Sequence, residues 1–498
     1  MKTTPIWDMP ESRSLSRTQP KRLGPRISPA RSAPITSGSL SLRITSPNAF
    51  DKNNIRAKLK KMESIIFLRC LFTIDNYITI KKLVNKIGEL FVANLKYICY
   101  TYIMSNTIYD VVVVGGGASG LFLAARLDEK LKVLVLESGE KVGKKILASG
   151  NGKCNLSNVA IDVSEYNNLF VKNALESFGT RDTLSFFSSL GLKVKVDEAG
   201  RIYPYSETAS SVLDVLRKKL ENNKVTTITG VKVDKIEYKD LFITKCGNEV
   251  FKAKRLVLAT GSKAGFGLNS QELLVSFGHS VRPLTPSLVP LKCDASKIRG
   301  LGGVRAKCRA TLYKDGALVQ SENGEVLFKD FGLSGIAIFN LSASVARVSG
   351  DYEIGLNFLP DMDVSDVAEY FVDRYEKLGL KTAEEFFVGV FHKNVAKNIF
   401  AAAGIEEVSE KNIAKLVRAA TDFRVKVIAP CDFSLAQVSS GGLKTADFDE
   451  KTMESKLQKG LYAVGEALDV DGVCGGFNLQ WAWSSAAAAA KSINENLK

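Results

Sequence analysis

Hydrophobic positions along this 498-residue chain follow two distinct rhythms. Residues 108–114, IYDVVVV, form a continuous β-branched run, as expected of a strand buried on both faces. The next stretch, LFLAARLDE, has helical spacing, and KVLVLE is again a buried strand, ending at Glu137. Two similar runs come later, RLVLATG at 255–261 and LYAVGE at 461–466. Between about 284 and 440 the rhythm changes. Alternating segments such as KCRATLYKDG and GEVLFKDFG predict antiparallel strands, and residues 364–422, with DVAEYFVDRYEKLG, predict several helices. The pattern as a whole predicts an α/β chain. A Rossmann-like domain over 104–283 is interrupted by an inserted β-barrel-like domain with a helical cap over 284–440, and is completed by 441–498.

The first strand runs into GGGASG, where Gly115, Gly117 and Gly120 fill a GxGxxG pattern, with Ala118 and Ser119 opening the helix. Glycines permit the tight turn and let backbone N–H groups approach a pyrophosphate at the helix N-terminus. Glu137 lies 20 residues beyond Gly117, the spacing at which a carboxylate accepts from an adenosine ribose hydroxyl. Strand, glycines, helix, strand and acid in one register predict a dinucleotide site. No second GxGxxG follows a strand, so no separate nicotinamide domain is recognisable.

Composition narrows the picture. Apolar residues make up 45% and charged residues 24%, ordinary values for a globular protein. No run of about 18 apolar residues occurs, so no transmembrane helix is expected. Eight cysteines without a CxxC pair point to a reduced compartment and argue against structural zinc. Only His279 and His392 are available for histidine chemistry, and no metal site is expected. The net charge of +15 suggests nucleic acid, but residues 1–103 hold 18 Lys/Arg against 6 Asp/Glu, and the rest holds 50 against 47. The near-balanced body makes nucleic acid an unfavoured partner. Residues 1–61 are rich in Ser, Pro and Arg, which predicts disorder and also resembles a transit peptide. Residues 62–103 suit an amphipathic helix. Met104 opens MSNTIYDVVVVGGG like the start of a cytosolic enzyme, so residues 1–103 are expected to be a basic, non-catalytic extension and the protein to be cytoplasmic.

Four further segments carry a narrower resemblance: KVGKKILASGNGKCNLSN, LFKDFGLSG, TMESKLQKGLYAVGEALDVDG and GGFNLQWAWSS. The first is not a P-loop, because Leu147 and Cys154 stand where that motif needs a glycine and a hydroxyl. Together they resemble the bacterial NAD(P)/FAD-dependent oxidoreductases. These aminoacetone oxidase-like flavoproteins include a reductase of 3-dehydro bile acids. The resemblance runs from about residue 108 to the C-terminus and implies FAD. It places the first segment along the cofactor, with Lys144, Lys145, Gly152, Lys153, Cys154 and Asn155 matching. Lysines supply charge near a diphosphate, and Asn155 and Asn158 offer donors and acceptors to a flavin edge. Lys153 replaces a more usual arginine. Cys154 reads either as a redox thiol or as a small residue packed beside the cofactor.

The resemblance extends the cofactor set to Val231, Gly261, Gly465, Glu466, Gly475, Gly476 and Phe477. Asp469, Asp471 and Asn478 match as ligands of the ribityl chain or ring edge, with turn and cap roles the alternative. A helix N-terminus at the glycine-rich turn suits the negative charge of a reduced flavin ring. On the substrate side FGLSG places Gly332, Ser334 and Gly335 near the flavin. Lys329-Asp330 stands in place of Thr-His and Ile336 in place of proline, so no general acid and no catalytic residue is assigned. Arg201 and Tyr203 in GRIYPYS are polar candidates for a substrate carboxylate and a proton, against a reading as ordinary hairpin surface.

The expected activity is that of an FAD-dependent oxidoreductase. NADH or NADPH would supply hydride through flavin to an unsaturated or carbonyl-conjugated small molecule. The alternative is a flavin-containing nucleic-acid-binding or tRNA-modifying protein.

Overall fold

The main sheet is built outward from one run of valines. The computed structural model describes residues 107–264 and 271–497, so the expectations for residues 1–103 lie outside the described residues. The strand Ile108–Val114 is central, with Val111, Val112 and Val113 wholly buried. Val133–Leu136 pairs with it in parallel on one side and Glu249–Leu258 on the other. Thr226–Ile228 extends the sheet beyond the first neighbour and Leu461–Ala463 beyond the second, both in parallel. A hairpin of Lys235–Lys239 and Leu241–Cys246 adds antiparallel strands to the early half of Glu249–Leu258. The chain runs outward from the first strand through 133–136 to 226–228 and then returns to its other side at 249–258, so the order reverses beside its C-terminal end, the switch point at which open α/β sheets bind ligands. The glycine turn lies there.

The helix Ala118–Arg126 covers the sheet with seven consecutive buried residues, Ser119 to Ala125. Packed on it is the C-terminal helix Phe477–Asn496, which buries Trp481, Trp483 and the run Ala486–Ala490. Small side chains let the two helices approach closely. The Trp483 ring lies 5.1 Å from Phe122 and 5.4 Å from Phe187. Both indoles are also polar anchors. Trp481 Nε1 donates to the Gly465 carbonyl at 3.0 Å, and Trp483 Nε1 to the Leu156 carbonyl at 2.9 Å.

The alternating segments close into a six-stranded antiparallel barrel, in the order 291–293, 332–334, 317–329, 305–314, 352–357 and 423–430. Its interior is filled by Leu312, Val326, Phe328, Ile354, Leu356 and Val425. The helices Val364–Leu378, Lys393–Ala403 and Ile413–Thr421 lie between the last two barrel strands in sequence and share that core, forming the helical cap. An antiparallel pair, Val281–Ser287 with Val438–Leu443, forms the stem through which the chain enters and leaves the barrel. Among the described residues no helix is long and apolar enough to cross a membrane.

Replacing Trp483 by Phe keeps most of the apolar contact but removes the donor to Leu156. We expect a loss of about 1–3 kcal/mol in denaturant unfolding, the cost of a buried carbonyl left unpaired. A loss under about 0.5 kcal/mol would mean that packing alone holds this helix.

Candidate cofactor site

The glycine turn divides into packed and open positions. Gly115 has φ +113°, and a Cβ there would overlap the Ala259 carbonyl oxygen. One on Gly120 would overlap the carbonyl oxygen of Gly115. Both are glycine so that helix and strand can touch. Gly117 differs, because no atom lies within 4 Å of where its Cβ would stand. It is the N-cap of the helix beginning at Ala118, which has neither a side-chain cap nor an acid in its first turn. Open space beside uncapped N–H groups is an anion cradle.

Glu137 ties the second strand to this turn. Its carboxylate accepts from Gly116 N at 2.8 Å and Gly139 N at 2.7 Å. Val231 N donates to the Glu137 carbonyl at 2.9 Å, which fixes the strand end from the other side. Glu137 is therefore a structural acceptor as well as a ligand candidate.

The lysine-rich segment is a short helix, Lys144–Ala148, then a tight turn with Gly150 and Asn151 left-handed at φ +57° and +55°. Lys145 meets Glu466 at 2.5 Å, while Lys144 is exposed. Gly152 is left-handed, with open space where a Cβ would stand. Lys153 points outward to Glu207 at 2.6 Å, and Lys195 grips the same carboxylate. The two lysines hold the Glu207 carboxyl down to about 2. Cys154 is wholly buried, and burial pushes its thiol up to about 12. It stays protonated at neutral pH, which supports the packing alternative over a redox thiol. Asn155 Oδ1 accepts from Ile202 N at 3.2 Å. Asn158 Nδ2 donates to Gly475 O at 2.9 Å.

A second polar centre lies around Glu466, which accepts from Lys145, from Ser262 Oγ and from Ser439 N at 2.8 Å. On the neighbouring segments are three buried side-chain atoms without a partner among the described residues: Thr260 Oγ1, Ser439 Oγ and Gln271 Oε1. Gln271 Nε2 donates to Gly261 O at 2.9 Å, and Gly261 is open where its Cβ would stand. Buried polar atoms are nearly always satisfied, so three orphans beside an open glycine fit a polar ligand. Gly465 closes this side, because a Cβ there would stand 2.7 Å from Ser119 Oγ. The anion cradle and the orphaned cluster together suit an elongated, charged molecule such as a dinucleotide.

At the C-terminal turn, Gly475 and Gly476 have φ +121° and +106°, and a Cβ on Gly476 would overlap the Ser157 carbonyl. The Phe477 carbonyl accepts from Tyr166 Oη at 2.8 Å. Asn478 braces the loop, accepting from Gly472 N at 3.0 Å and donating to Gly472 O at 2.8 Å. Asp469 and Asp471 both face Arg347, a residue that sequence reasoning did not single out. Burial lowers the Arg347 guanidinium, and Asp469 opposes that shift.

On the substrate side the glycines have packing reasons. A Cβ on Gly332 would overlap the Leu291 carbonyl, and one on Gly335 the Glu325 carbonyl. Ser334 is buried within a barrel strand. Arg201 is engaged by Asp197 at 2.8 Å, inside its own hairpin. Tyr203 stands beside Gly150, half-buried, and burial raises its phenol. Of the two histidines, His279 is buried against Leu274 O and Ser455 Oγ, and His392 caps the helix beginning at Lys393.

Sheet, cradle and inserted barrel define a Rossmann-type, dinucleotide-binding protein. The chain belongs to the family described as HI0933-like protein Rossmann domain, which matches residues 109–492. It is 37% identical over 405 residues to the 3-dehydro-bile acid delta(4,6)-reductase of Clostridium scindens, covering 77% of this chain and 98% of that one. It is 30% identical over 406 residues to the ribosomal RNA dihydrouridine synthase of Haemophilus influenzae, again 77% and 98%. The Escherichia coli ribosomal RNA dihydrouridine synthase is 28% identical over 407 residues, with the same coverage.

Because Glu137 accepts from two backbone amides, Glu137→Ala should destabilise the nucleotide-free protein by about 1.5–3 kcal/mol in denaturant unfolding. It should also weaken dinucleotide binding. Unchanged apoprotein stability would show that the carboxylate serves the ligand alone.

Proposed function

We propose that this protein is an FAD-dependent reductase. It uses NADH or NADPH to reduce a carbon–carbon double bond conjugated to a carbonyl in a small molecule. The observation that carries the cofactor is the pairing of an open, uncapped glycine turn with three orphaned buried polar atoms around Glu466. FAD bound there supplies the hydride chemistry, and the chain supplies orientation and electrostatics.

In this reading the first-turn amides after Gly117, with Lys144 and Lys145, hold the diphosphate. Glu137 accepts from the adenosine ribose, with Val231 fixing its strand. Thr260, Ser439 and Glu466 serve the ribityl chain. The Gly475–Gly476 turn and the start of the helix at Phe477 lie by the flavin ring, where the helix N-terminus favours negative charge. The substrate enters between this turn and the barrel, and Tyr203 is the polar side chain beside the loop at Gly150.

The substrate class rests on relatives. One is named as reducing a 3-dehydro-bile acid at delta(4,6), the others as making dihydrouridine in ribosomal RNA. In both chemistries the reduced C=C is conjugated, directly or through a second C=C, to a carbonyl, so hydride goes to its carbon remote from the carbonyl and a proton to the other carbon of the same bond. Greater identity to the first relative and the near-balanced charge of residues 104–498 favour a small molecule. A second reading, reduction of a uridine in RNA, is supported by the two synthase relatives.

The test is anaerobic. Protein reduced by NADH or NADPH is mixed with a steroid dienone or with unmodified ribosomal RNA, and reoxidation is followed by absorbance. We expect the dienone to reoxidise the protein and the RNA to leave it reduced. The reverse would establish the second reading, and failure of both would overturn the substrate class.

A further inference from the structure

We propose that Arg347 is a positioning residue through which the inserted barrel fixes the C-terminal cofactor loop, residues 469–476. Arg347 ends the helix Ile336–Arg347, which follows directly on a barrel strand. Its Nη1 lies 3.3 Å from Asp469 Oδ1 and its Nη2 meets Asp471 Oδ1. The three side chains are 16%, 13% and 3% exposed, so the pairing is shielded from water and salt. A planar guanidinium fork reaches both carboxylates at once, which a lysine ammonium does not.

Each carboxylate has further partners, all of which depend on the same loop shape. Asp469 accepts from Gly441 N at 3.1 Å and lies 3.6 Å from Arg282 Nη1. Asp471 accepts from Ser287 Oγ at 3.3 Å; its backbone N–H donates to Asn167 Oδ1 at 2.8 Å, and its carbonyl accepts from Asn167 N at 3.0 Å. Without Arg347, Asp471 would be a buried carboxylate with only a hydroxyl for its side chain, a costly arrangement. The same helix grips the loop again about two turns earlier. Asn340 Oδ1 accepts from Cys474 N at 2.9 Å, while its Nδ2 donates to Glu322 Oε2 at 3.0 Å. One barrel helix thus holds the loop at 469, 471 and 474, immediately before Gly475 and Gly476. The loop's position, and with it the start of the helix at Phe477, follows the barrel.

The functional half of this inference rests on the FAD reading; the structural half does not, and the experiment separates them. Amide hydrogen exchange is measured on the full chain across 467–476, with 108–114 as internal reference. FAD affinity and turnover with NADH or NADPH are measured on the same variants. Arg347→Met should speed exchange across 467–476 by tenfold or more and leave 108–114 unchanged, while weakening FAD binding several-fold. Arg347→Lys should fall between it and the unsubstituted protein, and covers the case in which Arg347→Met fails to fold. Arg347→Met combined with Asp469→Asn and Asp471→Asn should slow exchange again, since no buried charge is left unpaired. Unchanged exchange in Arg347→Met or Arg347→Lys would overturn the proposal. So would faster exchange with unaltered FAD affinity and turnover, which would make the contact a brace for stability alone. Normal exchange with lost turnover, unrelieved in the combined variant, would instead make Arg347 a direct ligand contact. If the unsubstituted protein takes up no flavin, the cofactor reading fails, and the exchange result still decides whether the latch exists.

Discussion

The contact on which the rest of the structure depends is the packing of the C-terminal helix on the glycine-turn helix. Residues 477–496 bring two indole donors and a run of alanines to the first βα unit, more than 300 residues away in sequence. Through Trp481 the helix fixes Gly465 beside Ser119, and through Trp483 it fixes the loop at Leu156. A buried amide, Gln480, adds a bond from Ser157 Oγ at 2.7 Å and another from Thr183 Oγ1 at 3.1 Å. The glycine turn, the lysine-rich loop and the late strand end are therefore positioned by one element. An apolar contact alone would allow sliding, whereas directional donors to named carbonyls fix the register.

The barrel is joined to this assembly by two devices. The paired stem 281–287 and 438–443 carries the chain across, and Glu466 accepts from Ser439 on that stem. The helix 336–347 then reaches the loop before Gly475 with a charged fork and an amide. The first device ends on Glu466 in the open polar cradle, and the second on the loop that leads into the Gly475–Gly476 turn. A ligand lying between the units would thus contact segments that each unit helps to hold, which is where binding sites commonly occur.

What the sequence made legible was local. The valine run, the glycine turn and Glu137 announce themselves within 30 residues, because strand period, turn chemistry and acid spacing are short-range rules. The change to alternating segments announced the barrel in the same way. Arg347 and Asn340 were not visible, since their partners lie 122 to 134 residues away and neither stands in an unusual stretch. Resemblance to a family singled out segments without saying how each residue is used. Asp469, Asp471 and Asn478 face an arginine and their own loop. Gly332 and Gly335 make room for neighbouring carbonyls, and Arg201 is engaged four residues away at Asp197. A glycine in a motif has the same letter whether it admits a ligand or a neighbouring strand. Only packing distinguishes Gly117 and Gly261 from Gly115 and Gly120.

The account stands on one claim, that these loops form a cradle for a single dinucleotide, FAD. The most direct measurement is to denature purified full-length protein in the dark and chromatograph the supernatant, with FAD reconstitution of any colourless fraction. The account predicts FAD released without covalent attachment in a stoichiometric amount, and its uptake by apoprotein with recovery of the flavin spectrum. Protein that is isolated without flavin and takes up none would contradict it.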